Sequence, residues 1–379
     1  MSYESVNYIV LAIPAFFLLI GIELAAVRLA GHDYYRLNDA VNDLSCGILD
    51  QLLDVFMKTV LFAGYVFVFE RLRLTTLPGD RAWVWAACFI GVDFLYYWFH
   101  RLSHEVNAFW AAHVVHHQSE EYNLVVALRQ GALQSWFSWI FYLPLAALGF
   151  PPLVFLACSS FNTLYQFWIH TRVIGRLGPL EWVLNTPSNH RVHHGRNPKY
   201  IDRNHSGTLI VWDRLFGTYQ AEEDEVVYGI TTPLASWNPL WANLSYWVEL
   251  VSLAKRTRRF RDRLRLFLEP PGWRPEELGG FQPAPEVDRK SYRKWDVDVR
   301  PIVQTYAAVQ FVVVLVAAGV LLNLQDRLSR PVLTGVALLI VAALVAIGGL
   351  FEGRRWAPWF EAARLVATAV VAYRLLPIA

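Results

Sequence analysis

The chain has 379 residues, of which 55% are hydrophobic, 15% aromatic and only 17% charged, and its mean hydropathy is +0.29. That balance is too apolar for an ordinary soluble domain and indicates a membrane protein. A net charge of +2 excludes a general electrostatic attraction to nucleic acid, and three cysteines far apart in apolar surroundings, Cys46, Cys88 and Cys158, suit neither a disulfide framework nor a thiolate metal site.

A bilayer core about 30 Å thick takes a helix of about 20 apolar residues. In chain order the stretches 5–22, 130–150, 151–169, 301–324 and 331–351 qualify without a charge. Three others carry charges: 82–99 (Asp93), 44–69 (Asp50, Asp54, Lys58) and 356–378 (Glu361, Arg364, Arg374). The first span lacks a basic leader and reads as an anchor rather than a signal peptide. The densest cationic run, "KRTRRFRDRLR" at 255–265, has seven Lys/Arg against one Asp and predicts a cytoplasmic location. Counting spans outward from it predicts an outside N-terminus, 30–44 and 100–129 inside, and a tight hairpin at 149–152 on the far side. The run itself reads either as a basic amphipathic helix on anionic headgroups or as a solvated helix face. A Pro/Gly-rich stretch at 269–286 precedes the C-terminal hydrophobic part. Together these predict an all-α polytopic bundle with a cytoplasmic cap, divided into N-terminal helices (1–80), a catalytic domain (81–268), a linker (269–300) and C-terminal helices (301–379).

Ten of the eleven histidines fall between His100 and His205. His100 and His104 are spaced i, i+4; His113, His116 and His117 are spaced i, i+3, i+4; His190, His193 and His194 repeat that spacing. On helices each set presents its imidazoles from one face. Eight imidazoles exceed what one four-coordinate ion takes, so the pattern predicts two metals. His100 ends an apolar span, which puts this centre near the lipid headgroups. Asp93, seven residues earlier, is an intramembrane carboxylate and a functional candidate; its structural roles would be pairing with Lys58 or with a polar backbone site.

The boxes "HRLSH", "HVVHH" and "HRVHH" match those of the fatty acid hydroxylase and sterol desaturase superfamily of membrane di-iron enzymes. The surrounding words "DFLYYWFHRLSHE", "HVVHHQSEEYNLVVALRQ", "LYQFWIHT" and "LNTPSNHRVHHGRNPKYIDRNHSGTLIVWDRLFGTY" resemble its alkylglycerol monooxygenase branch most. The resemblance implies His100, His104, His113, His116, His117, His190, His193 and His194 as ligands, His170 as a ninth, and Glu105 as a carboxylate orienting a ligand ring. It leaves Asp202, Asn204, Trp212 and Asp213 without a role, and His32 and His205 unassigned. It implies two Fe ions, with Zn possible in isolated material, and O₂-dependent hydroxylation of a membrane lipid. In this branch the attacked carbon lies beside an ether oxygen, and the reductant is tetrahydrobiopterin.

No haem attachment motif, Fe–S cysteine run or dinucleotide fingerprint is present, so the electrons come from an external donor. Cytochrome or ferredoxin-type donors serve other members of the superfamily. "QSWFSWIFYLPL", Trp98, Phe99 and Trp168 are candidates for a chain-binding groove or for lipid-facing belts. The rival readings are a hydroxylase or desaturase of a sterol, hopanoid, carotenoid or acyl lipid, a metal transporter, and an idle metal-stabilised scaffold.

Overall fold

The computed structural model describes residues 8–287 and 291–375. Among them the architecture is all-helical, with only two isolated bridges, Leu184 to Leu209 and Gly195 to Tyr228. The helices are α1 (Tyr8–Leu29), α2 (Leu37–Leu72), α3 (Ala82–Glu105), α4 (Asn107–His117), α5 (Gln134–Ser138), α6 (Leu143–Leu148), α7 (Pro152–Trp168), α8 (Pro187–His193), α9 (Val211–Phe216), α10 (Pro239–Arg256), α11 (Phe260–Leu268), α12 (Pro301–Leu324), α13 (Arg330–Phe351) and α14 (Ala357–Leu375).

Among the described residues four helices are long and apolar enough to cross a bilayer: α1 from Leu11, α3, α12 and α13. Helix α2 makes a fifth span if its halves Leu37–Met57 and Thr59–Leu72, which meet at 50°, count as one. Two of the charge-free spans expected from sequence are not spans of full length. Residues 130–150 break into α5, a 3₁₀ turn at Trp139–Tyr142 and α6. Gln134 and Ser135 of that stretch turn to an internal cavity, Pro144 starts α6 and Gly149 ends it in the left-handed region. Helix α7 has 17 residues, about 25 Å long at 1.5 Å per residue, short of the hydrocarbon thickness. In α14, buried Glu361 and Arg364 pair with each other, and Tyr306 and Gln310 of α12 bond to them at 2.7 and 2.9 Å. The buried charge on α14 is structural glue between two helices.

Among the described residues two larger apolar cores build the membrane part, beside a small cluster of Phe16, Leu124 and Phe167 that seats α1 on α7. One joins α12, α13 and the first half of α2 through residues such as Val41, Phe311, Val314, Leu344 and Ile347. The other joins the second half of α2 to α3, α6 and α7 through Tyr65, Val84, Val92, Leu145 and Val154. A smaller cluster, Tyr122, Val192, Tyr200, Val226 and Tyr228, packs the cap that closes over the histidines. Two glycines let backbones meet at the junction of cap and bundle. A Cβ on Gly47 of α2 would lie 2.2 Å from Leu128 O, and one on Gly131 would lie 2.1 Å from Ala112 O.

Candidate metal centre

The sequence spacing becomes geometry at four helix ends. His100 and His104 leave the last turns of α3, the HVVHH box closes α4, His170 follows α7, and HRVHH spans α8 and its end. All nine histidines are buried. They form two donor groups, each with its ligand atoms within 4.8 Å of one another: His100, His104, His113, His117 and His193 in one, His116, His170, His190 and His194 in the other. The repeated box is thereby explained. Helical spacing sends His113 and His117 into the first group and His116 into the second, whereas HRVHH sends His190 and His194 into the second and His193 into the first.

Ring orientation is set from outside. The Nδ1 atoms of His100, His116, His170 and His193 donate to the carbonyls of His205 (2.7 Å), Arg129 (2.8 Å), Gln166 (2.6 Å) and Arg203 (3.0 Å). His113 Nδ1 donates to Gln134 Oε1 at 2.7 Å. A proton held on Nδ1 leaves the Nε2 lone pair facing inward, the arrangement ligating histidines use. The inward nitrogens lie head to head, His100 to His113 at 3.0 Å, His117 to His113 at 3.1 Å, His116 to His170 at 3.2 Å and His190 to His170 at 3.0 Å. Nε2 of His104, His193 and His194 are buried without a partner among the described residues. Converging lone pairs with no proton to share are costly unless cations sit between them. Outside the membrane helices, burial lowers the imidazoles, His113 and His170 to about 4 and the rings of α8's box well below their ordinary value, so they are neutral at working pH as ligation requires. The residues present fit two metal ions.

The supporting residues differ from expectation in several places. Glu105 does not face a ligand ring; it pairs with Arg101 at 2.8 Å, one turn back on α3. The carboxylate that approaches His104 Nδ1, at 3.6 Å, belongs to Asp202, whose side chain is about half exposed at 48%. Asp93 takes a backbone role: it accepts from Asn162 Nδ2 (2.6 Å), Thr208 N (2.7 Å), Leu209 N (3.0 Å) and Trp212 Nε1 (2.9 Å), while the side chain of Lys58, the other partner considered, lies outside the described residues. Asp213 accepts from the amides of His205 and Ser206. The two carboxylates pin the 205–212 loop and thereby hold His205 O on His100. The ring of His205 is fully buried and belongs to neither donor group. Asn204, with φ +56, accepts from Gln220 N and donates to Asn189 O and Gln220 O, a left-handed position that asparagine tolerates. His32 lies apart, stacked on Tyr34.

Sequence reasoning passed over Arg129. It is 1% exposed and donates to Val115 O (2.5 Å), Asn42 Oδ1 (2.5 Å), Asp43 Oδ1 (3.0 Å) and Gln118 Oε1 (2.8 Å), while its carbonyl holds His116. Its one visible signal is a single arginine inside the apolar run "NLVVALRQGAL".

A cavity of about 570 Å³ opens onto His113, His116 and His170. Its walls are apolar at Phe16, Phe17, Leu61, Leu315 and Leu322, and polar at Gln130, Gln134, Asn162 and Gln166 beside the histidines and at Asp50, Gln51 and Asp54 of α2. Phe99 and parts of the 134–145 stretch line it, but Trp98 and Trp168 do not; Trp98 packs on Phe216 and Trp168 on Tyr165.

Residues 85–218 match the fatty acid hydroxylase domain family. The chain is 41% identical to human alkylglycerol monooxygenase over 95% of its own length and 81% of the relative's. To the Xenopus tropicalis enzyme of the same name it is 40% identical, over 94% and 80%. An ornithine lipid hydroxylase from Rhizobium tropici is 31% identical over 34% of the chain and 39% of the relative. No solved structure matches the chain. With its membrane-crossing helices, buried histidine groups and this similarity, the chain belongs to the fatty acid hydroxylase family, in its alkylglycerol monooxygenase branch, and is an integral-membrane oxidoreductase of the monooxygenase type.

Proposed function

We propose that this protein uses O₂ to hydroxylate a membrane lipid, the substrate being an alkylglycerol whose ether bond is cleaved, with two iron ions held by the groups of five and four histidines. The observation that carries the reading is the cavity: its volume is that of a small-molecule site, its walls suit an alkyl chain, and it ends on imidazoles of both groups.

The irons, when bound, supply the oxidising power needed to break an unactivated C–H bond. The chain's own residues do the rest. Apolar walls hold the chain and exclude water. Gln134 both fixes the His113 tautomer and faces the cavity, so the substrate's polar end and the metal site share one positioned amide. Asn162, fixed by Asp93, offers a second. Hydroxylation of the carbon beside the ether oxygen gives a hemiacetal, whose collapse yields a fatty aldehyde and a free glycerol hydroxyl. The two electrons come from outside the chain, and resemblance to the branch implies tetrahydrobiopterin. Glu105 and Asp202 are the carboxylates of the His104 side, away from the cavity lining. The basic run at 255–265 supports a cytoplasmic cap, in a bacterial inner membrane or the endoplasmic reticulum.

A second reading keeps the centre and changes the lipid, and the partial similarity to an ornithine lipid hydroxylase supports it. A transporter is disfavoured because the ligand rings are locked by hydrogen bonds to loop carbonyls within a closed cap. The test is O₂-dependent turnover of an alkylglycerol with reduced tetrahydrobiopterin by protein purified anaerobically in lipid, with metals quantified. Turnover with two irons per chain, abolished in His116→Ala, is expected. Two irons without turnover would reject the substrate and donor pairing, and failure to bind metal after reconstitution would reject the centre.

A further inference from the structure

Helices α10 and α11 form a hairpin outside the described cores of the membrane helices. On α10, Trp241, Leu244, Val248 and Val251 are 41 to 51% exposed. Their 3, 4, 3 spacing makes one stripe, and Ala242, Asn243, Leu250 and Leu253 bury the opposite face. On α11, Phe260, Leu264 and Leu268 are exposed at 71, 52 and 69%, in a second stripe opposite buried Leu266. Seven large apolar side chains presented by two adjoining helices exceed the scatter of single hydrophobics on an ordinary surface.

The charges on the same hairpin are arranged around those stripes. Lys255, Arg256, Arg258, Arg259, Arg261 and Arg263 are exposed. The acidic groups of this region are engaged at its end or outside it: Asp262 and Glu269 lie on Arg265 at 3.6 and 2.8 Å, Glu249 on Arg274 at 3.7 Å, and Glu277 Oε1 accepts from Arg258 N at 2.6 Å, which leaves the cations ahead of Arg265 in excess. On a helical projection Arg261 and Arg265 border one edge of the α11 stripe and Arg263 the other. Long cationic stems bordering an apolar stripe let the heads reach phosphates while the stripe enters the acyl boundary. A solvated helix face explains the arginines but leaves the exposed Phe260, Leu264 and Leu268 without cover.

We propose that the α10–α11 hairpin is an in-plane membrane anchor that docks on anionic phospholipid headgroups, Phe260, Leu264 and Leu268 entering the bilayer between the cations of 255–265. The opposite face of α10 is tied to the histidine-bearing segments: Gln118 Nε2 donates to Ala242 O (3.0 Å), Ala132 N to Asn243 Oδ1 (2.9 Å) and Tyr246 OH to Asn107 Oδ1. Docking therefore braces α4 against the lipid surface. This anchor is independent of which lipid is oxidised.

The native cysteines are all buried, so Leu264→Cys in the full chain takes a nitroxide label selectively. The label's relative accessibility to O₂ and to a water-soluble nickel complex reports its depth in proteoliposomes of phosphatidylcholine alone or mixed with phosphatidylglycerol. Expected is a label in the lipid phase with phosphatidylglycerol and in water without it. Neutralising three cations by Arg256→Gln, Arg259→Gln and Arg261→Gln shifts the docked equilibrium about a hundred-fold toward water, at about five-fold per cation; the single Arg261→Gln gives the smaller step if the triple variant misfolds. A label facing water in both lipids overturns the proposal. Immersion in both, insensitive to the neutralised cations, overturns the anionic selectivity, and spin–spin broadening between chains would make the face a contact between two copies.

Discussion

At the scale of single residues, the centre depends on groups that never face a metal. Arg129 is the clearest. It ties Asn42 and Asp43 of α2 to Val115 O, one residue before His116, and its own carbonyl fixes the His116 ring. Removing the guanidinium strands the buried carboxylate of Asp43 and frees the backbone that aims His116. Arg129→Met is expected to cost about 3–5 kcal/mol, the range for breaking a buried pair, and to lower metal content before the fold is lost. Thermal unfolding and metal analysis on the same sample check it; full metal content at wild-type stability would contradict the role. Glu105 and Asp202 teach the complementary lesson. In sequence, the carboxylate beside His104 looked placed to orient it, but consecutive helical residues diverge by about 100° and Glu105 instead meets Arg101 one turn back. The carboxylate that does approach arrives from a loop nearly a hundred residues on, a contact no local spacing encodes.

At the scale of elements, periodic features were legible and broken ones were not. The i, i+3 and i, i+4 spacing of the histidines carried over, because α3, α4 and α8 supply the regular backbone that the spacing assumes. Apolar content alone misread 130–150, where Gln130, Gln134, Ser135 and Ser138 mark a wall facing a cavity and not a lipid-facing helix. The meeting of α2 with the segment after α4 depends on Gly47, whose neighbour is Leu128 O. Gly47 also lines the cavity. Gly47→Val forces α2 away from that carbonyl and narrows the cavity, so KM for a long-chain substrate should rise at least several-fold while bound metal is retained. Steady-state kinetics across chain lengths with metal quantification tests this, and an unchanged KM for every chain length would rule it out.

At the scale of the whole molecule, the histidines couple stability to pH. Their ordinary value is 6.5, and His113 and His170 are lowered to about 4 by burial. Between those values the unfolded chain binds more protons than the folded one, so stability falls as pH drops from about 6.5 to about 4 and is fully present above that window. Each of these two groups contributes on the order of 3 kcal/mol, lost over that window. Metal-free protein should therefore show a melting temperature that is flat above about pH 7 and declines steeply below about 6; a melting temperature independent of pH over this window would count against neutral, buried imidazoles.

A strap joins the C-terminal part to this assembly. Lys294 and Arg36 pair with Glu121 at 2.5 and 2.7 Å, Trp295 N donates to Glu120 at 2.9 Å, and Arg36 also holds Trp295 O. The loop directly after His117 is thus clasped by residues just ahead of α12.

The splitting of each HxxHH box between the two donor groups carries its own consequence for how the protein matures. Neither half-site can be completed by one segment of chain: the first group needs His193 from α8, and the second needs His116 from α4. A nascent chain that has made only its first two boxes carries four of the five imidazoles of the first group but only His116 of the second. The second group comes together only when the chain from His170 to His194 folds back on α4, so a product that stops short of the third box lacks half of that group, and the paired arrangement is a property of the chain through His194 rather than of any one box.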